Sequence, residues 1–112
     1  MSITVQALDV VYGRPASGLT VSLEYSSDGP WRPVAEGETD PGGQISDWNS
    51  EALPCGLYRI MLATDKYFVS LGIRAAYPQI TLLLRLGDTV AARHVQVLMA
   101  PHAYSTYYST TG

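Results

Sequence analysis

The stretch Ala91-Ala92-Arg93-His94-Val95-Gln96-Val97-Leu98-Met99-Ala100-Pro101-His102-Ala103-Tyr104-Ser105-Thr106-Tyr107-Tyr108 reads as two strands joined at Ala100-Pro101. A period of two puts Arg93, Val95 and Val97 on one face and His94 on the other. Both histidines of the chain and three of its eight tyrosines lie in this run. Charge is sparse elsewhere, so side chains able to do chemistry are concentrated here. The rest of the chain reads as a scaffold for this closing hairpin.

Upstream, the strand signal repeats. From Ile3 to Val10, Ile3, Val5 and Ala7 share one face, and Thr4, Gln6 and Leu8 the other. Turn residues from Tyr12 to Gly18 interrupt the run. The segment Leu19 to Tyr25 then alternates apolar and polar without a fault. Asp28-Gly29-Pro30 turns the chain into a third strand, Trp31 to Glu36, and Thr39-Asp40-Pro41-Gly42-Gly43 ends it. Gln44 to Trp48 fits a short edge strand, with a loop from Asn49 to Pro54. Further strands are expected over Gly56 to Ala63 and Gln79 to Leu86. Between them Thr64-Asp65 caps one short helix running to Gly72, with Phe68, Leu71 and Tyr67 turned inward. Gly87-Asp88 leads into the closing pair. Seven or eight strands at this spacing, with one short helix, make an all-β sandwich.

A chain of 112 residues is expected to form one domain, 1–112. With 46% hydrophobic and 15% charged residues it can bury a core. A net charge of −3 without a basic cluster argues against nucleic acid, which demands a Lys/Arg stripe. No apolar run approaches the roughly 20 residues that span a bilayer. Met1-Ser2 runs straight into a strand without a signal-peptide pattern, so the expected compartment is the cytoplasm. The single cysteine, Cys55, has no intrachain partner and sits in a turn without a histidine beside it.

Several chemical signatures are missing. No His, Cys, Asp and Glu set has metal-ligand spacing, and no glycine-rich phosphate loop or Gly-x-Ser-x-Gly elbow occurs. His94 is the best catalytic candidate from the residues alone, as a general base; a packing or interface histidine fits the same position. His102, after Pro101, is expected in solvent. The hydroxyls of Tyr104, Ser105, Thr106, Tyr107 and Tyr108 suit either a subunit-contacting edge strand or a ligand site.

A set of ordered landmarks adds to this. They are Gln6-Ala7-Leu8-Asp9, Gly13-Arg14-Pro15-Ala16, Thr39-Asp40-Pro41-Gly42-Gly43-Gln44, Gly56-Leu57-Tyr58-Arg59, Tyr77-Pro78-Gln79-Ile80, His94-Val95 and Tyr104-Ser105-Thr106-Tyr107. Together they resemble the transthyretin and 5-hydroxyisourate hydrolase family from Ile3 to about Thr110. The resemblance implies an eight-stranded transthyretin-like β-sandwich with one short helix after the fifth strand, assembled as a homotetramer, a dimer of dimers. It also implies a small-molecule site in the channel between dimers, lined by the first, seventh and eighth strands, with no metal or organic cofactor. The hydrolase members open 5-hydroxyisourate with water, using a first-strand His, an Arg after the Asp-Gly turn, a seventh-strand His and a closing Tyr-Arg-Gly-Ser.

Carried onto this sequence, that set is largely replaced. Gln6 stands for the first-strand His, Gln44 for the Arg, and Gly42 for the Asp of the turn. His94 and Tyr107 are kept, and Tyr108 stands where the closing Arg is expected. Loss of one oriented donor to an oxyanion costs about 100- to 1,000-fold in rate. The resemblance therefore implies a neutral, amide- and phenol-lined cleft that is not an efficient 5-hydroxyisourate hydrolase. The expected catalytic residues are His94 and Tyr108; Gln6, Gln44, Tyr107 and Arg14 are expected to bind substrate. Three functions fit. One is a repurposed enzyme that opens or closes a ring by addition at an activated carbonyl or imine. The others are a catalytically silent ligand binder and a slow hydroxyisourate hydrolase.

Overall fold

Two sheets pack face to face, and the alternation read from the sequence sets which residues lie between them. The computed structural model describes residues 2–46, 48, 53–87 and 92–111. The first sheet has β1 (Ser2–Asp9) at its centre, paired in parallel with β8 (Ala92–Ala100), which pairs antiparallel with β9 (Ala103–Thr111). Two short strands share the other edge of β1: β2 (Arg14–Pro15) and β5 (Gln44–Ile45). The second sheet is antiparallel, in the order β4 (Arg32–Glu38), β3 (Thr20–Ser26), β6 (Gly56–Leu62), β7 (Ile80–Leu86).

The inner faces close over one core. Ile3, Val5 and Ala7 of β1 and Val95, Val97 and Met99 of β8 are buried from the first sheet. Val21, Leu23, Tyr58, Ile60, Leu62 and Ile80 meet them from the second. Each of the Val, Leu, Ile and Met side chains among them contributes roughly 1.5–3 kcal/mol by leaving water. Sequence-derived faces hold for β1 and β3, where buried and part-exposed residues alternate strictly. On β8, Arg93 shares the core face with Val95 and is fully buried. Its Nη2 donates to the Gly87 carbonyl, and its Nε and Nη1 have no partner among the described residues.

Three sequence expectations are adjusted. The helix α1 (Thr64–Val69) is shorter than expected: Gly72 takes φ +77°, and Ile73 N–H returns to the Phe68 carbonyl at 2.8 Å. Thr64 does not cap it; Ala63 holds the cap position, and the Thr64 hydroxyl donates to the Tyr77 carbonyl at 2.7 Å. The edge strand expected over Gln44 to Trp48 stops at Ile45, although Trp48 is tied down by its Nε1–H to the Ile3 carbonyl at 3.0 Å. Phe68 is fully buried, with Tyr67 and Leu71 packed beside it as expected. Parts of the loop from Asn49 and of the turn at Asp88, together with Ala91, lie outside the described residues.

Candidate active site

The outward face of the first sheet carries the polar side chains, and strand register fixes their order. Across β1, β8 and β9, Thr4 stands beside His94, and His94 beside Ser109. Two residues along, Gln44, Gln6, Gln96 and Tyr107 form a second row across β5, β1, β8 and β9. Partners in register point to the same side, and successive rows lie about 7 Å apart. A third row, Leu8, Leu98 and Ser105, continues the face toward an apolar end.

The two central amides of the second row are hydrogen-bonded to each other, and one of them to the turn beside β1. Gln96 Nε2 donates to Gln6 Oε1 at 3.1 Å, and Gln6 Nε2 donates to the Gly42 carbonyl at 3.5 Å. Each amide nitrogen keeps a second hydrogen, and Gln96 keeps its carbonyl, for whatever enters the cleft. Gln44 is delivered by the turn before it. Asp40 Oδ1 accepts from the N–H groups of Gly42 and Gln44 at 2.9 Å each. Gly43 at φ +75° lets the turn press on β1, since a Cβ there would lie 2.4 Å from the Ala7 carbonyl oxygen. Thr39 anchors the turn from below: its hydroxyl donates to the Ala16 carbonyl at 2.6 Å and accepts from Leu19 N–H at 2.9 Å.

A cavity of about 260 Å³ opens over the first two rows, with His94, Gln6, Gln44 and Tyr107 on its walls. Thr4, Gln96 and Ser109 also line it. Among the described residues no lysine, arginine, aspartate or glutamate does; the imidazole of His94 and the phenol of Tyr107 are its ionisable groups there. His94 is exposed, and Tyr107 is 68% exposed. No group of three or more potential metal ligands occurs among the described residues.

Four of the six site residues expected from sequence thus meet in one cleft, and two do not. Tyr108 pairs with Val95, whose side chain is in the core, so Tyr108 faces away from the His94 side of the sheet. Arg14 lies beyond the turn, its guanidinium stacked 5.1 Å above the Tyr12 ring, and lines a different cavity. The sequence reading missed Thr4, Gln96 and Ser109. Gln96 was legible by parity, two residues after His94; Thr4 and Ser109 needed the register.

The sequence model of the HIUase/Transthyretin family matches residues 3–109. The chain belongs to the HIUase/transthyretin family. A 5-hydroxyisourate hydrolase from Salmonella dublin is 34% identical over 106 residues, covering 94% of this chain and 78% of the relative. A probable 5-hydroxyisourate hydrolase from Schizosaccharomyces pombe is 30% identical over 111 residues, covering 95% and 89%. Among solved structures, sea bream transthyretin in complex with thyroxine superimposes with a TM-score of 0.92 at 25% identity, covering 97% and 95% of the two chains. The Klebsiella pneumoniae 5-hydroxyisourate hydrolase gives 0.84 at 29% identity, covering 96% and 97%. The fold of the HIUase/transthyretin family and the fold expected here agree: two β-sheets and one short helix.

Proposed function

We propose that this member of the HIUase/transthyretin family is a small-molecule enzyme that opens or closes a ring by addition at an activated carbonyl or imine, with His94 as acid and base. The observation that carries the reading is the pair of rows: an imidazole between two hydroxyls, next to a hydrogen-bonded pair of amides, in a cleft whose lining holds no fixed charge among the described residues. Its relatives named 5-hydroxyisourate hydrolase support the reaction class.

In the hydrolytic direction His94 takes a proton from water as its oxygen adds to the electrophilic carbon. The second N–H of Gln6 or Gln96 donates to the oxygen that gains charge. Collapse breaks the carbon–nitrogen bond, and His94 returns the proton to the departing nitrogen. In a cyclisation, an internal nucleophile of the substrate replaces the water. A neutral amide lining suits a substrate with paired donors and acceptors and little negative charge, because it cannot offer the ionic bonds an anionic heterocycle would need. Tyr107 and Gln44 bound the cleft and select shape. The site is completed by a second copy of the chain in a homotetramer, which the exposed Leu98 and Tyr107 on this face support.

A second reading, ligand binding without turnover, draws on the thyroxine complex of sea bream transthyretin and on the apolar third row at Leu8 and Leu98. One experiment separates these. Freshly generated 5-hydroxyisourate is mixed with the protein, and its absorbance decay and the products are followed. The proposal expects decay within about tenfold of the spontaneous rate and a true substrate of lower charge. Acceleration of about 1,000-fold or more, lost in His94→Ala, assigns the parental hydrolysis instead. Recovery of every bound candidate ligand unchanged assigns the binding role.

A further inference from the structure

We propose that the cavity between the β1–β2 turn and α1 is a second binding site, for a small anion held by Arg14 and Lys66. It measures about 440 Å³, larger than the His94 cleft, and falls within the range of small-molecule pockets. Its walls combine two cations, Arg14 and Lys66, with the hydroxyls of Ser17 and Thr20; those of Tyr67 and Ser70 also line it but already donate, to Asp9 Oδ2 and to the Tyr67 carbonyl. Among the described residues no carboxylate lines it, in a chain whose net charge is −3. Among the described residues, the ion pair Arg59–Glu24 lies elsewhere, and neither Arg14 nor Lys66 is engaged in one.

Arg14 is oriented before any ligand arrives. Its guanidinium lies over the Tyr12 ring at 5.1 Å, which leaves the N–H groups of its edge free to donate. Tyr12 is itself held by its N–H to Asp9 Oδ1 at 3.1 Å. The Tyr67 hydroxyl donates to Asp9 Oδ2 at 2.8 Å, so its oxygen offers only lone pairs to the cavity. Asp9 is buried and also accepts from Val11 N–H at 2.9 Å. The carboxylate thus takes its hydrogen bonds from three neutral donors, and among the described residues none comes from Arg14 or Lys66. A guanidinium stacked on an aromatic ring loses less freedom on binding than a free surface side chain. Leu19 and Leu71 supply an apolar wall, so an organic carboxylate fits as well as an inorganic phosphate.

The test is a titration of the isotopically labelled protein with inorganic phosphate and, separately, with hexanoate, followed by NMR at constant ionic strength. The expected result is saturable shifts at the Arg14 side chain and at the amides of Ser17, Gly18, Lys66 and Tyr67 with one or both probes. Arg14→Gln and Lys66→Gln each weaken that binding by about tenfold or more, as loss of a charge-assisted contact should. Arg85→Gln, which removes an exposed cation on β7, leaves it unchanged. Saturation with phosphate alone assigns the site to phosphate, and with hexanoate alone to carboxylates. Absence of saturable shifts with both, or shifts that survive Arg14→Gln and Lys66→Gln, overturns the proposal.

Discussion

His94 and Arg93 are sequence neighbours with opposite fates, because successive strand residues point to opposite faces. His94 reaches the cleft; Arg93 is fully buried. For His94→Ala, turnover of the true substrate should fall about 100- to 10,000-fold with the circular dichroism spectrum intact. Unchanged turnover would remove His94 from the chemistry. Arg93 tests what a buried charge is worth. Arg93→Met keeps most of the volume and removes the charge, and should be neutral or stabilising in urea unfolding. Arg93→Ala leaves a cavity and should cost about 2–4 kcal/mol. Equal losses in both variants would mean that the guanidinium itself holds this end of the sandwich together.

Among the elements, the Asp40–Gln44 turn does most to build the site. It is fixed to β1 by Ala7 N–H to the Gly43 carbonyl at 2.8 Å, and it carries Gln44 into register with Gln6. Gly43→Ala meets both a positive φ and the Ala7 carbonyl, so it should destabilise by more than about 1 kcal/mol. The same change should displace Gln44 and raise KM more than it lowers kcat. A variant with wild-type stability would show that the turn tolerates a Cβ by moving away from β1. The helix α1 contributes differently, through Phe68 in the core and Tyr67 hydrogen-bonded to Asp9.

For the whole molecule, two properties follow from burial and from what is left unburied. The Tyr58 phenol is pushed up from 10.0 to about 12 by burial, then by the neighbouring Tyr25. Tyr67 is raised as well, by burial and by its bond to Asp9. Both are held neutral in the folded state, whereas in the unfolded chain a phenol ionises near its ordinary value. Their contribution to stability is complete below that value and is lost as pH rises from 10.0 toward about 12. Thermal midpoints should therefore fall between about pH 9 and about pH 11.5, and less steeply in Tyr58→Phe. At the surface, Val10, Val11, Tyr12 and Leu98 are each more than a third exposed around the end of the first sheet. Light scattering should give a mass near four times the 12.1 kDa protomer, and Leu98→Glu a smaller species. A wild-type mass near one protomer would remove the inter-subunit channel.

Local pattern was enough to read the sandwich from the residues, because a period of two states which face is buried without knowing what buries it. Ile3, Val5 and Ala7, the run Val21 to Tyr25 and the closing hairpin all declared themselves in this way. Helix length did not, since after Val69 the bonds tighten to the i+3 pattern, Leu71 N–H to the Phe68 carbonyl and Gly72 N–H to the Val69 carbonyl, before Gly72 takes its positive φ. The neutral character of the cleft was legible from Gln6 and Gln44 standing where the family resemblance placed charged or basic groups. Its full membership was not. Parallel pairing of β1 with β8 joins residues ninety positions apart, and that register brought in Thr4. The pairing of β8 with β9 put Ser109 beside His94 and turned Tyr108 to the other face. Sequence determined which residues could do chemistry; register between distant strands decided which of them share a cleft, because a one-residue shift moves a side chain to the opposite side of a sheet.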